Sequence, residues 1–151
     1  MSVTPRLSQE SFYKIAPDAR DALIALGKAV DASGLEKDLT ELVKLRVSQI
    51  NGCAFCLQMH IGIARKLGVK GPKLDLMAAW RDADIYSPRE RAALAWAEAI
   101  TAFDHGAASD VAFADLQKEF TENEIAFLTA AIANINAWNR IAAGLRFAPI
   151  I

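Results

Sequence analysis

The chain has 151 residues and a formal net charge of −1, and 53% of its residues are hydrophobic. A chain of this length can bury a core without disulfide staples, so we expect a single domain over residues 1–151. The balanced charge argues against the basic surface of a nucleic-acid-binding protein. The mean hydropathy of +0.17 is high for a small domain, which predicts that a second copy of the chain covers part of its surface.

The amino-terminal segment and the apolar stretches bear on where the protein is found. The first ten residues are polar and lack the apolar segment of a secretory signal. The longest apolar stretch, 125–138, is interrupted by Thr129, Asn134 and Asn136 and falls short of the roughly 18–20 residues of a membrane span. We therefore expect a cytoplasmic protein without a membrane partner. In that reducing compartment, a close cysteine pair is more often catalytic, redox-active or metal-binding than a structural disulfide.

Hydrophobic spacing is helical almost throughout the chain, which predicts an all-α fold of six to eight helices. In the first half, Pro17 opens a helix that stops at Ser33-Gly34, and a second helix begins near Leu35. Asn51-Gly52 breaks the second helix because both residues favour turns. A third helix is predicted from about Cys53 to Leu67, with Gly68 as its carboxyl-terminal stop.

In the second half of the chain, two serine or threonine caps mark helix starts. Ser87-Pro88-Arg89-Glu90 combines a Ser cap, Pro at the first helical position and a Glu that can close a capping box. Residues 121–124 form a second such box. The predicted elements are 71–80, a helix from 88 to about 104, a short helix over 110–119, and a long helix from 121 to about 145.

The chemistry-bearing residues are concentrated in the run 51–60, which holds both cysteines of the chain and one of its two histidines. At helical spacing, Cys53, Cys56 and His60 fall within a narrow arc of one face, and Cys56 and His60 can touch as an i,i+4 pair. A helix start also favours a thiolate. Glu41, one helix earlier, is a candidate to orient His60. This pattern predicts dithiol redox chemistry.

Other interpretations of the same residues stay open. The cysteines could be core packing, since free cysteine is often buried. Cys53, Cys56, His60 and Glu41 could bind zinc, although structural zinc sites usually add a second Cys or His pair that this chain lacks. We interpret His105, beside Gly106 in a predicted loop, as a surface residue.

Aromatic and amide side chains allow a third class of function, a non-redox binding module. Trp80, Trp96 and Trp138 could line its pocket, although aromatic residues at helical spacing more often belong to a core. A dense polar set in the last helix has two possible roles, either helix capping and subunit contact or one wall of an active site. Its members are Asn134, Asn136, Asn139 and Arg140.

Glu41, eleven intervening residues and then Cys53-x-x-Cys56-x-x-x-His60 resemble the signature of a known family. It is the alkylhydroperoxidase D-like branch of the carboxymuconolactone decarboxylase family. The segments 41–53, 79–81, 89–96 and 134–140 are also typical of that branch, and the resemblance extends over about 35–146. The combined motif is far more specific than a bare Cys-x-x-Cys.

The resemblance implies an all-helical, alkylhydroperoxidase D-like fold whose subunits form a homotrimer or homohexamer. It also implies a thiol peroxidase of the peroxiredoxin type, active in antioxidant defence without a metal or other cofactor. Cys56 would be the peroxidatic cysteine and Cys53 the resolving one, with His60 and Glu41 as a proton relay. The partners would be a small hydroperoxide and a dithiol reductant, either a lipoyl group or a thioredoxin-like protein.

A thioredoxin-like argument would instead make the first cysteine, Cys53, the attacking one. The i,i+4 neighbour of His60 is Cys56, however, and the dipole effect of a helix start is worth only about 0.3–1 kcal/mol at exposed sites. We therefore assign the attack to Cys56.

Phe55 is a departure from the branch that this chain resembles, because peroxidase members have a second histidine at that position. Part of their proton relay is therefore missing, and a dithiol–disulfide relay or redox sensor without significant peroxidase activity is the alternative function. Lactone decarboxylation is not expected, because the decarboxylase branch lacks the cysteine pair.

Overall fold

The computed structural model describes residues 4–151, which form eight α-helices and one short 3-10 turn, with no strand in this part of the chain. The prediction of an all-α fold with six to eight helices is therefore confirmed. The helices are α1 (Gln9–Ile15), α2 (Pro17–Asp31), α3 (Lys37–Ile50), α4 (Ala54–Lys66), α5 (Gly71–Asp75), α6 (Pro88–Thr101), α7 (Ala107–Glu119) and α8 (Glu122–Leu145), and the 3-10 turn is Met77–Ala79.

Hydrogen-bonded caps begin the two helices whose starts the sequence marks most strongly. Ser87 Oγ accepts a hydrogen bond from Glu90 N at 3.1 Å, and Glu90 Oε2 accepts one from Ser87 N at 2.8 Å. Thr121 and Glu124 make the same reciprocal pair at the start of α8. Each box satisfies backbone N–H groups that a helix start otherwise leaves free, and both predicted starts are confirmed.

Helix α3 lies at the centre of the fold and packs against α4, α6 and α8. Its apolar residues face two separate clusters of buried side chains, which explains their mixed three- and four-residue spacing, since a helix buried on several sides is apolar around most of its circumference. Leu39, Val43 and Val47 belong to the larger cluster. Leu42 and Leu45 belong to the smaller one, together with Met77, Trp80 and Leu94.

Three elements differ from the sequence-based expectation. Helix α1 was not predicted, because its seven residues include no buried one and so show no apolar face. The element predicted over 71–80 is divided into α5 and the 3-10 turn. Helix α7 begins at Ala107, three residues earlier than expected, directly after the extended Gly106.

The α3–α4 hairpin positions the residues of interest. The turn at 51–53 reverses the chain, so that Glu41 on α3 lies opposite His60 on α4.

Within residues 4–151, no helix has both the length and the apolar character needed to cross a membrane.

Candidate active site

The turn between α3 and α4 presents the first cysteine. Gly52 takes a positive φ of 65°, which glycine adopts without steric cost, and Cys53 N donates to Ser48 O at 3.0 Å. Cys53 is the N-cap of α4 with an extended backbone, and its Sγ accepts a hydrogen bond from Cys56 N at 3.4 Å. Cys53 therefore lies just outside the helix and caps it, while Cys56 and His60 are within the helix.

Both cysteines are reduced thiols with only 2% of their surface exposed. Cys53 has its pKa lowered to about 7, because the Cys56 thiol donates a hydrogen bond to it. Burial opposes this shift, and the Cys56 backbone N–H and the Asn139 side chain assist it. The Cys56 pKa is raised, because its proton is held by Cys53 and because burial disfavours its thiolate. In the reduced pair, the first negative charge therefore forms on Cys53.

A cavity of about 220 Å³ lies beside this pair, between α2, α4 and α8. Cys56 lines the cavity and Cys53 does not. Access and acidity therefore favour different cysteines. Cys56 is the sulfur that a molecule in the cavity contacts. Because two thiols that share one proton titrate as a pair, the negative charge can move from Cys53 to Cys56.

Glu41 and His60 are brought together as the sequence suggests. The Glu41 side chain is fully buried, and its Oε2 lies 2.6 Å from His60 Nδ1. Lys44 Nζ donates to Glu41 Oε1 at 2.9 Å, and Lys37 Nζ lies 3.2 Å from the same oxygen. Burial raises the pKa of Glu41, but the hydrogen bond from His60 and the positive charges beside it outweigh burial and lower the pKa to about 2.

The ionised Glu41 determines the tautomer of His60. A carboxylate can only accept hydrogen bonds, so Nδ1 must carry a proton and Nε2 of the neutral ring keeps its lone pair. His60 lines the same cavity as Cys56. The structure shows no hydrogen bond between the two side chains, so His60 and Cys56 share a cavity without the direct bond that their spacing allows.

Amide side chains tie α8 to the cysteine turn. Asn51 Nδ2 donates to the side-chain oxygens of Asn136 and Asn139, both at 3.0 Å. Asn139 Nδ2 donates to Ser48 Oγ at 3.1 Å. The amide of Asn139 thus links α8 to the last turn of α3 and to the first residue of the turn that holds Cys53. Asn134, five residues earlier on α8, lines the cavity.

The tryptophans do not line a common pocket. Trp138 lines the cavity, whereas Trp80 Nε1 donates to Glu98 at 2.8 Å and Trp96 Nε1 donates to Thr129 at 3.0 Å. Both of those side chains pack in the interior of the fold. His105 is exposed, as expected for a surface residue.

Phe55 closes one wall of the cavity. Its ring packs edge-on against Phe147, with 5.5 Å between the ring centroids. A phenyl ring that packs in this way supplies no second base at the position where peroxidase members of the resembled branch have histidine.

Within residues 4–151, no three Cys, His, Asp or Glu side chains form a group that could hold a metal ion.

Several cavity residues did not emerge from the sequence as candidates. Lys44 is one of them, and its i,i+3 spacing from Glu41 was the available signal. Tyr13 and Phe147 come from opposite ends of the chain and meet at the cavity only through the fold.

Comparisons with known proteins agree with this architecture. The sequence model of the carboxymuconolactone decarboxylase family matches residues 17–99. The uncharacterized protein YdfG of Bacillus subtilis is 37% identical over 131 residues, which make up 87% of this chain and 89% of that protein.

Solved structures show the same fold. A protein of unknown function from Agrobacterium tumefaciens, for which a role in antioxidant defence (AhpD) has been suggested, superposes with a TM-score of 0.91 at 40% identity over 98% of this chain and 99% of that one. A cysteine-to-alanine variant of the debrominase Bmp8 in complex with 2,3,4-tribromopyrrole superposes with a TM-score of 0.81 at 25% identity. That match covers 91% of this chain and 73% of the debrominase.

Proposed function

Because the chain belongs to the carboxymuconolactone decarboxylase family, we propose that it is a thiol-dependent hydroperoxide reductase of the alkylhydroperoxidase type. The observation that carries the proposal is the reduced Cys53–Cys56 pair beside a cavity that also holds His60, whose ring is bonded to the buried Glu41. The suggested antioxidant role of the similar Agrobacterium protein supports it.

The reaction begins at Cys56, the cysteine that lines the cavity. His60 Nε2 takes the Cys56 proton, and the thiolate attacks the terminal oxygen of a hydroperoxide ROOH. The S–O bond forms as the O–O bond breaks, so that Cys56 becomes a sulfenic acid and RO⁻ leaves. The imidazolium of His60 returns the proton to RO⁻, which leaves as the alcohol ROH.

The second step uses Cys53, which gives up its thiol proton. Its thiolate attacks Cys56 Sγ and forms the disulfide as the S–O bond breaks, and the displaced hydroxide takes up the proton that Cys53 lost and leaves as water. Overall, two thiols and ROOH give a disulfide, ROH and water. A dithiol reductant then reduces the disulfide by exchange, and the burial of both sulfurs favours a lipoyl group over a thioredoxin-like protein in this step. This cycle uses no metal, haem or flavin.

Glu41 supports the proton transfer. While His60 carries the proton it is an imidazolium, and the ionised carboxylate at 2.6 Å stabilises that charge. Lys37 and Lys44 keep Glu41 ionised.

Because a dithiol cycle needs a supply of reduced dithiols, we propose that the protein works in the cytoplasm.

A dithiol–disulfide relay or redox sensor is the second candidate, and Phe55 is the observation that favours it, since one base is absent. The burial of both thiols weighs against this function, because disulfide exchange with another protein requires access to the sulfur. A slender lipoyl arm could enter the cavity, which is compatible with the peroxidase cycle.

The test is the consumption of cumene hydroperoxide with dihydrolipoamide as the reductant. We expect Cys56→Ser to abolish turnover. Cys53→Ser should form one sulfenic acid on Cys56, trapped by dimedone and seen by mass spectrometry, but should not turn over. His105→Asn, at the exposed histidine, is the matched control and should keep the full rate.

Two results would contradict the proposal. One is full activity in Cys56→Ser. The other is a wild-type peroxide rate no faster than that of a free thiol together with rapid disulfide exchange, which would assign the chain to the relay class.

A further inference from the structure

One buried acceptor in the lining of the cavity has no partner in the described part of the chain. Asn134 is 7% exposed, and its Oδ1 makes no hydrogen bond within residues 4–151. Native proteins seldom leave such an atom unpaired, because the loss is comparable to that of a hydrogen bond. Oδ1 itself is covered by the side chains around it, so a donor group on a molecule in the cavity reaches it when those side chains shift.

The orientation of this amide is determined by its other end. Asn134 Nδ2 donates to Leu23 O on α2 at 3.2 Å. Exchanging the amide oxygen and nitrogen would place two acceptors against each other, so Oδ1 is the free atom. Gly27 also lies close, since a Cβ built there would be 3.4 Å from Nδ2. Helix α2 thus holds the amide from one side.

The rest of the cavity is mostly apolar and aromatic. Tyr13, Phe55, Trp138 and Phe147 contribute rings, which favour a flat apolar ligand. Lys44 and His60, the two basic side chains in the lining, are both bonded to Glu41. Hydrogen peroxide would gain little from such walls, whereas an organic molecule would bury its apolar surface against them.

We propose that Asn134 is a specificity-determining residue, and that the cavity takes a ring-bearing apolar molecule with one N–H or O–H group that donates to Asn134 Oδ1. The ring lies against the aromatic side chains. The identity of this molecule as a substrate rests on the proposed function. If the chain reduces hydroperoxides, the molecule is an organic hydroperoxide whose donor group is separate from its O–O bond.

The test compares two planar ligands of equal size, indole, which has an N–H donor, and benzofuran, which has an ether oxygen in its place. Isothermal titration calorimetry on the reduced protein should show indole binding at least tenfold more tightly, because benzofuran leaves Oδ1 unpaired and sets two acceptors face to face. Asn134→Leu should remove this preference. Its affinity for benzofuran reports whether the variant keeps its fold and cavity.

Equal binding of the two ligands to the wild-type protein would overturn the proposal, and so would an unchanged indole preference in Asn134→Leu. The outcome is independent of the peroxidase assay, because no turnover is measured. A preference for indole without peroxide reduction would contradict only the proposed function, and peroxide reduction without the preference would contradict only the role of Asn134.

Discussion

Glu41 is a fully buried carboxylate that contacts Lys37, Lys44 and His60. Burying a charge is costly unless it is paired, and here three partners compensate it. The same contacts that stabilise the carboxylate keep His60 in the tautomer that can accept a proton. Stability and chemistry at this site therefore depend on one residue and should respond together to its substitution.

We expect Glu41→Gln to lower the free energy of unfolding at pH 7 by about 3 kcal/mol, because the amide leaves buried positive charge without its partner. The folded pKa of Glu41 is about 2, below the usual value of 4.5. Its contribution is therefore complete above pH 4.5 and is lost as the pH falls toward 2. Urea unfolding at pH 7, 4.5 and 3 should show the difference between variant and wild type shrink with the pH.

The exposed Glu119 provides the control for this experiment. Glu119→Gln should change stability by less than about 0.5 kcal/mol at each pH, as surface substitutions usually do. A stability difference for Glu41→Gln that does not depend on pH would contradict the assignment of the lowered pKa to Glu41.

The cysteine pair allows a second test at single residues. Cys56→Ala removes the thiol that donates to Cys53, so the Cys53 pKa should rise from about 7 toward the ordinary value of about 8.5. The measurement is the pH dependence of iodoacetamide alkylation, followed by mass spectrometry. In Cys53→Ala, the pKa of Cys56 should fall, since its proton is no longer held by a neighbouring thiolate. If the alkylation rate of the remaining cysteine has the same pH midpoint in each variant as in the wild type, the two thiols do not share a proton.

At the scale of the element, the α3–α4 hairpin is the unit that assembles the site. Its turn contains Gly52 at a φ of 65° and is braced by the amide of Asn139 on α8. The cap by Cys53 then begins α4 one residue after the turn. A change in the turn should therefore affect both the stability of the protein and the position of the thiols.

Gly52→Ala and Gly62→Ala form a matched pair within this hairpin. A Cβ at either position meets nothing within 4 Å, so the two substitutions differ only in the backbone conformation at the substituted residue. Gly52→Ala should destabilise by about 1–2 kcal/mol, because alanine is strained at positive φ. Gly62→Ala, inside α4, should stabilise by roughly 0.5–1 kcal/mol. Denaturant unfolding measures the free energy of unfolding of both variants. Changes of the same sign relative to the wild type would refute this account of the turn.

At the scale of the whole molecule, several large apolar side chains are exposed in a single copy of the chain. Ile50, Met59 and Leu67 on or next to the hairpin are each about 40–45% exposed. Large apolar side chains that are exposed in one copy can be covered when copies associate. We therefore propose that the chain forms a homotrimer or homohexamer.

Sedimentation equilibrium at micromolar concentration should give three or six times the chain mass of 16.4 kDa. The apolar contribution to such an interface predicts that the assembly persists at high salt, because screening weakens charge pairs but not hydrophobic contacts. A monomer at this concentration would contradict the proposal.

Most of the fold could be predicted because its signals are local. Capping boxes at Ser87 and Thr121 and the break at Asn51-Gly52 act within four residues, so the sequence displays them directly. Helix α1 escaped prediction because it buries no residue, and a short helix without an apolar face carries no periodic signal.

The sequence by itself determined the helical class, the hairpin and the spacing that puts two thiols and a histidine near one turn, since each depends on neighbours along the chain. Only the tertiary structure decided which sulfur faces the cavity, which thiol ionises first and which amide is left without a partner. Those properties arise from contacts over long separations, such as 88 positions between Asn51 and Asn139 and 111 between Leu23 and Asn134. Burial, access and pKa values are properties of packing, and no local pattern encodes the packing of α2 and α8 around the cysteines.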